Sequence, residues 1–154
     1  MTRFFRRGTS KVKWITAPAS PTAPTLAEIT AGVSLDAQIA EISGFEFSNS
    51  PIQTPDLGTT FTTQIPGEDT VQNPSLTFYD DDAASTIRTA LAKGTSGYII
   101  FCPYGITATK RSEIWPAKST GVNDVWTAGN EAAKYQVTIA VTGVPNQAYA
   151  LPAS

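Results

Sequence analysis

The sequence predicts a mainly β fold: an antiparallel β-sandwich or partly closed barrel with one flanking α-helix. Several segments alternate apolar and polar residues with a period of two, as strands with one solvated face do. Only one long segment has helical spacing. It lies inside the series of strands and does not alternate with each of them, which argues against a fold of β-α-β units. The 154 residues are enough for one domain of ordinary size.

The predicted strands are short segments bounded by turn residues. Tyr135–Val141 alternates most regularly. Gly97–Pro103 is almost entirely apolar, and we expect it to lie centrally in a sheet, because a strand buried on both faces has no polar side. The remaining predicted strands are Lys11–Ile15, Ile39–Phe47 with a bend at Gly44, Thr59–Ile65, Ser75–Tyr79, Thr109–Trp115 closed by Pro116, and a short one at Val122–Trp126.

Two segments predict helices. A short one spans Thr25–Ala31, where Thr25 and Glu28 have the spacing of a capping box and Gly32 ends the helix. The flanking helix is predicted over about Ala83–Lys93, with apolar residues on one face and Gly94 just beyond its end.

The chain divides into three parts. Residues 1–24 form a basic N-terminal arm, a first strand and a connector with three prolines. Residues 25–145 form the β domain, which contains a long turn-rich loop from Ser48 to Gly58 and a tight turn at Pro66–Asp69. Residues 146–154 form a C-terminal tail.

The net charge of −2 conceals an uneven distribution. Residues 1–13 hold five basic and no acidic residues, whereas the rest of the chain is acidic. The arm is either a solvated terminus or a segment that docks on an acidic surface of another copy. Two adjacent aromatic residues favour docking. The arm residues in question are Arg3, Phe4, Phe5, Arg6 and Arg7.

The composition argues against most enzymes. The chain has no histidine, which is the commonest general base and metal ligand. Its one cysteine, Cys102, excludes an internal disulfide and a cysteine-rich metal site. No stretch approaches the ~20 apolar residues of a membrane-spanning helix. A binding, scaffold or assembly role without a cofactor remains.

The densest acidic cluster is Asp80–Asp82. Carboxylates can bind calcium or magnesium, but the spaced ligands of a loop site are missing. We therefore favour a role for these aspartates at the start of the flanking helix. Glu68 and Asp69 are expected at the solvated end of a hairpin, and Cys102 is expected to be a buried apolar residue and not a nucleophile.

Two further groups of residues indicate contacts. The three tryptophans, Trp14, Trp115 and Trp126, could stack on sugars or bases, but the acidic body favours packing in the core or between subunits. The predicted strand with Thr59, Phe61 and Thr63 on one face has few charges. It has the composition of a strand that pairs with another chain.

Several stretches, taken in order, resemble one protein family. Pro24–Leu35 leads into Ile39–Phe45. Then follow Ile52–Leu57, Ile65–Gly67, Ser75–Asp81, the helix that ends at Gly94, Gly97–Phe101 and Glu113–Pro116. Together they make the chain similar to the tail tube (major tail) proteins of tailed bacteriophages, of the kind found in long-tailed actinobacterial phages.

The resemblance implies a structural virion protein without enzymatic activity or cofactor. Such subunits form six-membered rings that stack into a hollow tube around a tape-measure protein, and double-stranded DNA passes through this tube during ejection. The tail terminator and distal tail proteins are the implied partners at the two ends of the tube. The protein is expected in the phage tail, after synthesis in the host bacterial cytoplasm, and without a membrane partner.

The resemblance also suggests which residues make contacts. Candidates for ring-to-ring or subunit contacts are the arm residues Arg3, Phe4, Phe5, Arg6 and Arg7, the segment from Ser48 to Gln72, and within it Thr59, Phe61 and Thr63. Candidates for the lumen or the stacking surfaces are Asp56, Glu68, Asp69, Asp80, Asp81 and Asp82. An acidic lumen would repel phosphates, so that DNA could slide.

Three alternatives stay open at this point. A tail terminator or connector would form one ring and not polymerise. The tube of a contractile tail would need a sheath, which a single subunit sequence cannot reveal. A carbohydrate-binding β-sandwich would present exposed aromatic residues in a groove, and Trp115 and Trp126 could supply them.

Overall fold

A computed structural model of the chain describes residues 1–153; Ser154, the last residue of the predicted tail, lies outside the described residues. It contains ten strands and two short helices within that range. The strands are β1 (Lys11–Ile15), β2 (Val33–Ser34), β3 (Ile39–Ser43), β4 (Ser48–Thr54), β5 (Thr63–Thr70), β6 (Ser75–Tyr79), β7 (Ser96–Cys102), β8 (Arg111–Val125), β9 (Lys134–Val141) and β10 (Asn146–Ala150). The helices are α1 (Leu26–Ala31) and α2 (Thr86–Ala90).

Eight of the strands form one antiparallel sheet, in the order β2-β1-β7-β8-β9-β6-β3 with β10 also paired to β8. The sheet is not closed into a barrel, since β2 and β3 lie at its two ends. Strands β4 and β5 form a separate two-stranded hairpin. The predicted mainly β, antiparallel, sandwich-like fold is confirmed.

Strand β8 links the two halves of the large sheet. It has 15 residues, and one of its edges pairs with β7 over Glu113–Lys118. Its other edge pairs first with β10 and then, over Ala117–Val125, with β9. A register shift between Ser119 and Gly121 marks a bulge, a device that bends a strand.

The predicted break at Pro116 was wrong, because β8 continues through it and includes the separately predicted segment 122–126 up to Val125. Proline lacks a backbone N–H and interrupts a ladder where that donor is needed. The Pro116 carbonyl accepts a hydrogen bond from Thr142 N–H (3.0 Å). That edge is the junction between β10 and β9, where the missing donor removes no ladder bond.

The core has two parts because the central strands are buried on both faces. Consecutive residues of β7 and β8 point to opposite faces, so that Ile99 and Trp115 enter one cluster while Ile100 and Ile114 enter the other. This double burial explains the uninterrupted apolar run of β7. The larger cluster also holds Trp14, Leu35, Leu76, Phe78, Leu91 and Val137; the smaller one holds Ile15, Ile29, Cys102 and Leu151.

Helix α1 begins and ends as predicted. Thr25 Oγ1 accepts a hydrogen bond from Glu28 N–H (3.2 Å), and Glu28 Oε1 accepts one from Thr25 N–H (3.4 Å), which completes the capping box. Glu28 Oε2 also accepts from Ala19 N–H (2.9 Å) and so fastens the proline-rich connector to the helix. The hydrogen bond from Ala19 is the main reason that the pKa of Glu28 lies below its usual value.

Helix α2 is shorter than the predicted Ala83–Lys93, and the aspartates before it do not cap it. Its N-cap is Ser85, which makes no side-chain capping bond. Asp81 Oδ1 instead accepts a hydrogen bond from Ala83 N–H (2.9 Å). This local turn competes with helical geometry, which is why the helix starts later than its apolar pattern suggests.

The segment from Ser48 to Thr70 differs most from the prediction. The expected turn-rich loop is strand β4, and β5 runs through the expected turn at Pro66–Asp69. The two prolines within its strands, Pro51 and Pro66, lie where the register shifts between Ser50 and Ile52, so neither has to donate to the ladder. The predicted C-terminal tail likewise contains a strand, β10.

Close packing against β7 predicts an effect at Gly97. A Cβ atom there would lie 2.6 Å from the Ile15 carbonyl oxygen and 2.7 Å from Trp14 Cζ2. We expect Gly97→Ala to lower the free energy of unfolding by about 1–3 kcal/mol through overpacking, as measured by urea denaturation. Gly129→Ala is the control, since its Cβ would meet only the Thr127 hydroxyl, at 3.3 Å. Equal stability of the two variants would contradict this account.

Candidate assembly surfaces

The β4–β5 hairpin is exposed along nearly its whole length. Within residues 1–153 neither of its strands pairs with the large sheet. Ile52 and Ile65 lie opposite each other and are half exposed. An isolated hairpin is only marginally stable in water, and unpaired strand edges are templates for pairing with another chain. The hairpin therefore has the properties of an element whose strand edges pair with another chain.

A bulge and a side-chain clamp hold the hairpin in one register. A Cβ atom at Gly67 would collide with the Ser50 carbonyl oxygen, so only glycine fits there. Asn49 Nδ2 donates to the Gly67 carbonyl (3.1 Å) and to the Asp69 carboxylate, and Asn49 Oδ1 accepts from Gly67 N–H (3.3 Å). These bonds define the shape of the hairpin before any partner binds.

The hairpin tip, residues 55–62, carries two exposed apolar side chains. Asp56 Oδ1 accepts hydrogen bonds from the N–H groups two and three residues later (2.7 and 3.1 Å), which forms a tight turn. Leu57 is fully exposed, and Phe61 is 75% exposed. The turn thus presents a leucine and a phenylalanine to solvent at the far end of the hairpin.

The structure separates the three residues predicted to share one strand face. Thr59 and Phe61 lie in the hairpin tip, and only Thr63 belongs to β5. The predicted strand face was therefore wrong, because two side-chain turns replace extended backbone here. One is built on Asp56, and in the other Thr59 Oγ1 accepts a hydrogen bond from Phe61 N–H (2.8 Å). Thr63 is instead fastened across the hairpin, with its Oγ1 2.8 Å from that of Thr54.

The basic arm, residues 1–10, contacts its own subunit. The Phe4 ring packs against Tyr104 with ring centroids 5.2 Å apart, and the Arg6 guanidinium lies 5.7 Å from the centre of the Phe4 ring. Ser10 Oγ donates to the Pro103 carbonyl (2.8 Å). Arg3, Phe5 and Arg7 are exposed. Part of the arm is thus held on the turn after β7, while other basic and aromatic side chains point to solvent.

An aromatic groove lies beside the arm. It encloses about 290 Å³ and is lined by Ile42, Phe45, Phe101 and Trp115, with Arg6 and Lys11 at its basic side and Glu113 as its acidic lining residue. Phe45 meets Phe101 and Trp115 edge to face, with centroids 5.2 and 5.4 Å apart. The volume is at the lower limit of sites for small molecules, and it suits one or two apolar side chains.

The six acidic candidates fall into two groups. Asp56, Glu68 and Asp69 lie on the hairpin, and Asp80–Asp82 follow β6 on the body of the subunit. All six are exposed. Asp80–Asp82 border a cleft of about 430 Å³. Within residues 1–153 no group of three or more possible ligands could hold a metal ion.

Sequence reasoning missed an ion pair that fixes α2. The two terminal nitrogens of the Arg88 guanidinium, Nη1 and Nη2, donate to the Asp124 carboxylate, at 2.7 and 3.2 Å. The hydrogen bond from Arg88 lowers the pKa of Asp124. The two residues are far apart in sequence, and only the path of β8 past the helix brings them together, so no local pattern predicts the pair.

The tryptophans divide into two buried and one exposed. Trp14 and Trp115 belong to the core, whereas Trp126 is 88% exposed. Of the two residues considered for a carbohydrate-binding groove, only Trp126 is therefore at the surface.

Within residues 1–153 no helix is long and apolar enough to cross a membrane.

The comparison with known families decides the class of the protein. The sequence matches the family model described as phage tail tube protein over residues 1–154. The chain belongs to this phage tail tube protein family. A search of curated proteins gives no significant match. Membership makes the chain a structural component of the phage virion and confirms the resemblance drawn from its motifs.

Solved structures with the same fold come from phage-like injection machines. The chain is similar to a protein in the anti-feeding prophage baseplate, with a TM-score of 0.60, 8% identity and coverage of 95% of this chain and 97% of that one. Two others are in an extracellular contractile injection system. One is in its sheath–tube complex (TM-score 0.56, 14% identity, 90% and 88% covered), and the other is in its sheath/tube terminator (TM-score 0.56, 13% identity, 94% and 98% covered). At these identities the likeness shows the shared fold.

Because Cys102 is buried, its thiol is predicted to be unreactive toward thiol reagents in the folded tail tube subunit. It is fully buried, and burial raises the pKa of its thiol to about 11. Only the thiolate is nucleophilic, so we expect a disulfide reagent at pH 8 to leave the native protein unlabelled and to react once urea unfolds it. Native labelling at the rate of the unfolded chain would contradict the burial.

Proposed function

We propose that this tail tube subunit assembles into six-membered rings that stack into the tube of a phage tail, and that the tube conducts double-stranded DNA during ejection. The observation that carries the proposal is the family match over the whole chain. The exposed β4–β5 hairpin supports it, since a protein that remains a monomer has little use for an element whose edges and apolar residues face water.

The contacts between rings follow from the same surfaces. The hairpin, with Thr59, Phe61 and Thr63, and the arm residues Arg3, Phe4, Phe5, Arg6 and Arg7 are the proposed subunit contacts. Each is exposed in the single subunit. The hairpin and the arm are different surfaces, and a contact between different surfaces generates either a closed ring or an open stack. A stacked tube requires both a closed ring within each layer and an open stack of such rings.

The acidic body supports the passage of DNA. We place some of Asp56, Glu68, Asp69, Asp80, Asp81 and Asp82 at the lumen or at the stacking surfaces. Binding of DNA is driven by cations on the protein that release counterions from phosphate. A wall of carboxylates lacks this attraction, so DNA would slide. The proposed partners are a tape-measure protein inside the tube and the terminator and distal tail proteins at its ends.

Negative-stain electron microscopy of the purified protein over a range of concentrations tests the proposal. Hollow tubes of uniform diameter with sixfold end views are the expected result. Single rings that never stack would favour a terminator or connector role. A monomer at every concentration that binds glycans, with binding lost on Trp126→Ala, would overturn the tube and favour a carbohydrate-binding module.

Gly67 tests the hairpin. Because a Cβ atom there would collide with the Ser50 carbonyl oxygen, we expect Gly67→Ala to disrupt the hairpin and abolish tubes. The hairpin forms a sheet separate from the large one, so the unfolding midpoint in urea should change little. Gly143→Ala, outside the hairpin, is the control, because its Cβ atom would make only ordinary contacts with Pro116, at 3.4 and 3.5 Å. Normal tubes from Gly67→Ala would contradict the role of the hairpin.

Deletion of Met1–Arg7 tests the arm. Strand β1 begins at Lys11, so we expect the shortened subunit to keep its circular dichroism spectrum and its unfolding midpoint. Tube formation should be lost, because three arginines and the exposed Phe5 go with the deleted segment. Tubes of normal length would refute the arm contact. A loss of folded structure would show instead that the Phe4–Tyr104 contact is structural.

A further inference from the structure

We propose that the hairpin tip of one subunit inserts Leu57 and Phe61 into the aromatic groove of a second copy. This inference rests on the proposed function, because it identifies the surface that receives the hairpin in the stacked tube. It joins two features that the single subunit leaves unused: an open groove lined by aromatic side chains and two exposed apolar side chains at the end of a braced hairpin.

The groove has the chemistry of an apolar receptor. Phe45 and Phe101 are only partly buried, and Phe45 meets both Phe101 and the buried Trp115 edge to face. Ile42 extends the apolar surface toward solvent. Aromatic side chains favour further edge-to-face partners, so a phenylalanine fits this site better than a polar or aliphatic group does.

The tip of the same subunit cannot fill this groove. Phe45 lines the groove and lies only three residues before the first residue of β4. Since a strand rises about 3.3 Å per residue, the seven residues of β4 carry the tip roughly 20 Å away from the hairpin base. The hydrogen bonds of Asn49 and Thr54 hold the two strands together along this length. A hairpin tip that fills this groove must therefore come from a second copy.

Charge complementarity favours this pairing. Asp56 is the charged residue of the tip, and residues 48–70 contain no basic residue. Arg6 and Lys11 border the groove, and its acidic lining residue, Glu113, is paired with Arg111 at 3.8 Å. Attraction between Asp56 of one copy and the basic border on another copy favours this approach.

The contact is heterologous, because a tip on one copy meets a groove on the next. Such a contact leaves a free tip at one end of the pair and a free groove at the other, so that it can repeat without limit along the hairpin direction. Stacking of rings requires this polarity. A twofold contact of hairpin on hairpin would stop at two copies.

Cysteine cross-linking tests the contact directly. In a Cys102→Ala background, Thr62→Cys places a thiol on the exposed tip beside Phe61, and Ile42→Cys places one in the groove. Under mild oxidation at high protein concentration, we expect the double variant to give a ladder of covalent oligomers on a denaturing gel. Either single variant can form dimers at most. Thr62→Cys combined with Val144→Cys, an exposed site elsewhere (90%), should give no ladder.

Removal of the two apolar side chains is the second test. We expect Leu57→Ser/Phe61→Ser to raise the protein concentration needed for tubes at least tenfold, with an unchanged unfolding midpoint. Val144→Ser is the matched control and should assemble like the unmodified protein. Absence of the ladder, or tubes from the double serine variant at the usual concentration, overturns the insertion. Tubes from the unmodified protein would then show that the proposed function stands without it.

Discussion

The fold depends on the hydrogen bonding of β8 along both of its edges. One edge holds β7 and through it β1, while the other holds β10 and then β9. Because its residues alternate between two faces, Trp115 and Ile114 place side chains in both parts of the core. A register slip of one residue would exchange the two faces. Pro116 is tolerated because it lies at the junction between β10 and β9, where no ladder bond needs its missing N–H.

The hairpin stands apart from this system of bonds. Its order comes from local contacts, above all the Asn49 clamp and the close approach at Gly67, and its apolar residues are not covered by its own subunit. A protein that acted alone would be expected to bury or charge such edges. In a subunit that polymerises, the same exposure becomes the means of association. The large sheet therefore stabilises the fold, and the projecting hairpin provides a surface for association.

Several elements could be predicted because their cause is local. The capping box of α1 needs only Thr25 and Glu28, and the alternation of β9 needs only one buried and one solvated face. The hairpin could not be predicted, since Ser, Asn and Pro have low strand propensity and its pairing spans distant residues. The aromatic groove is likewise nonlocal, because Phe45, Phe101 and Trp115 come from three separate segments.

The mainly β class, the basic arm on an acidic body and the family follow from the amino-acid sequence, because composition, strand period and the order of short motifs are properties of the chain alone. Three features emerge only in the folded subunit: 48–70 is a strand pair and not a loop, Asp80–Asp82 do not cap α2, and Trp126 is the exposed tryptophan. The strand pair and the exposure of Trp126 depend on which parts of the folded chain pack against these residues. The start of α2 depends on the turn that Asp81 makes with Ala83 N–H, a competing hydrogen bond that the apolar pattern does not reveal.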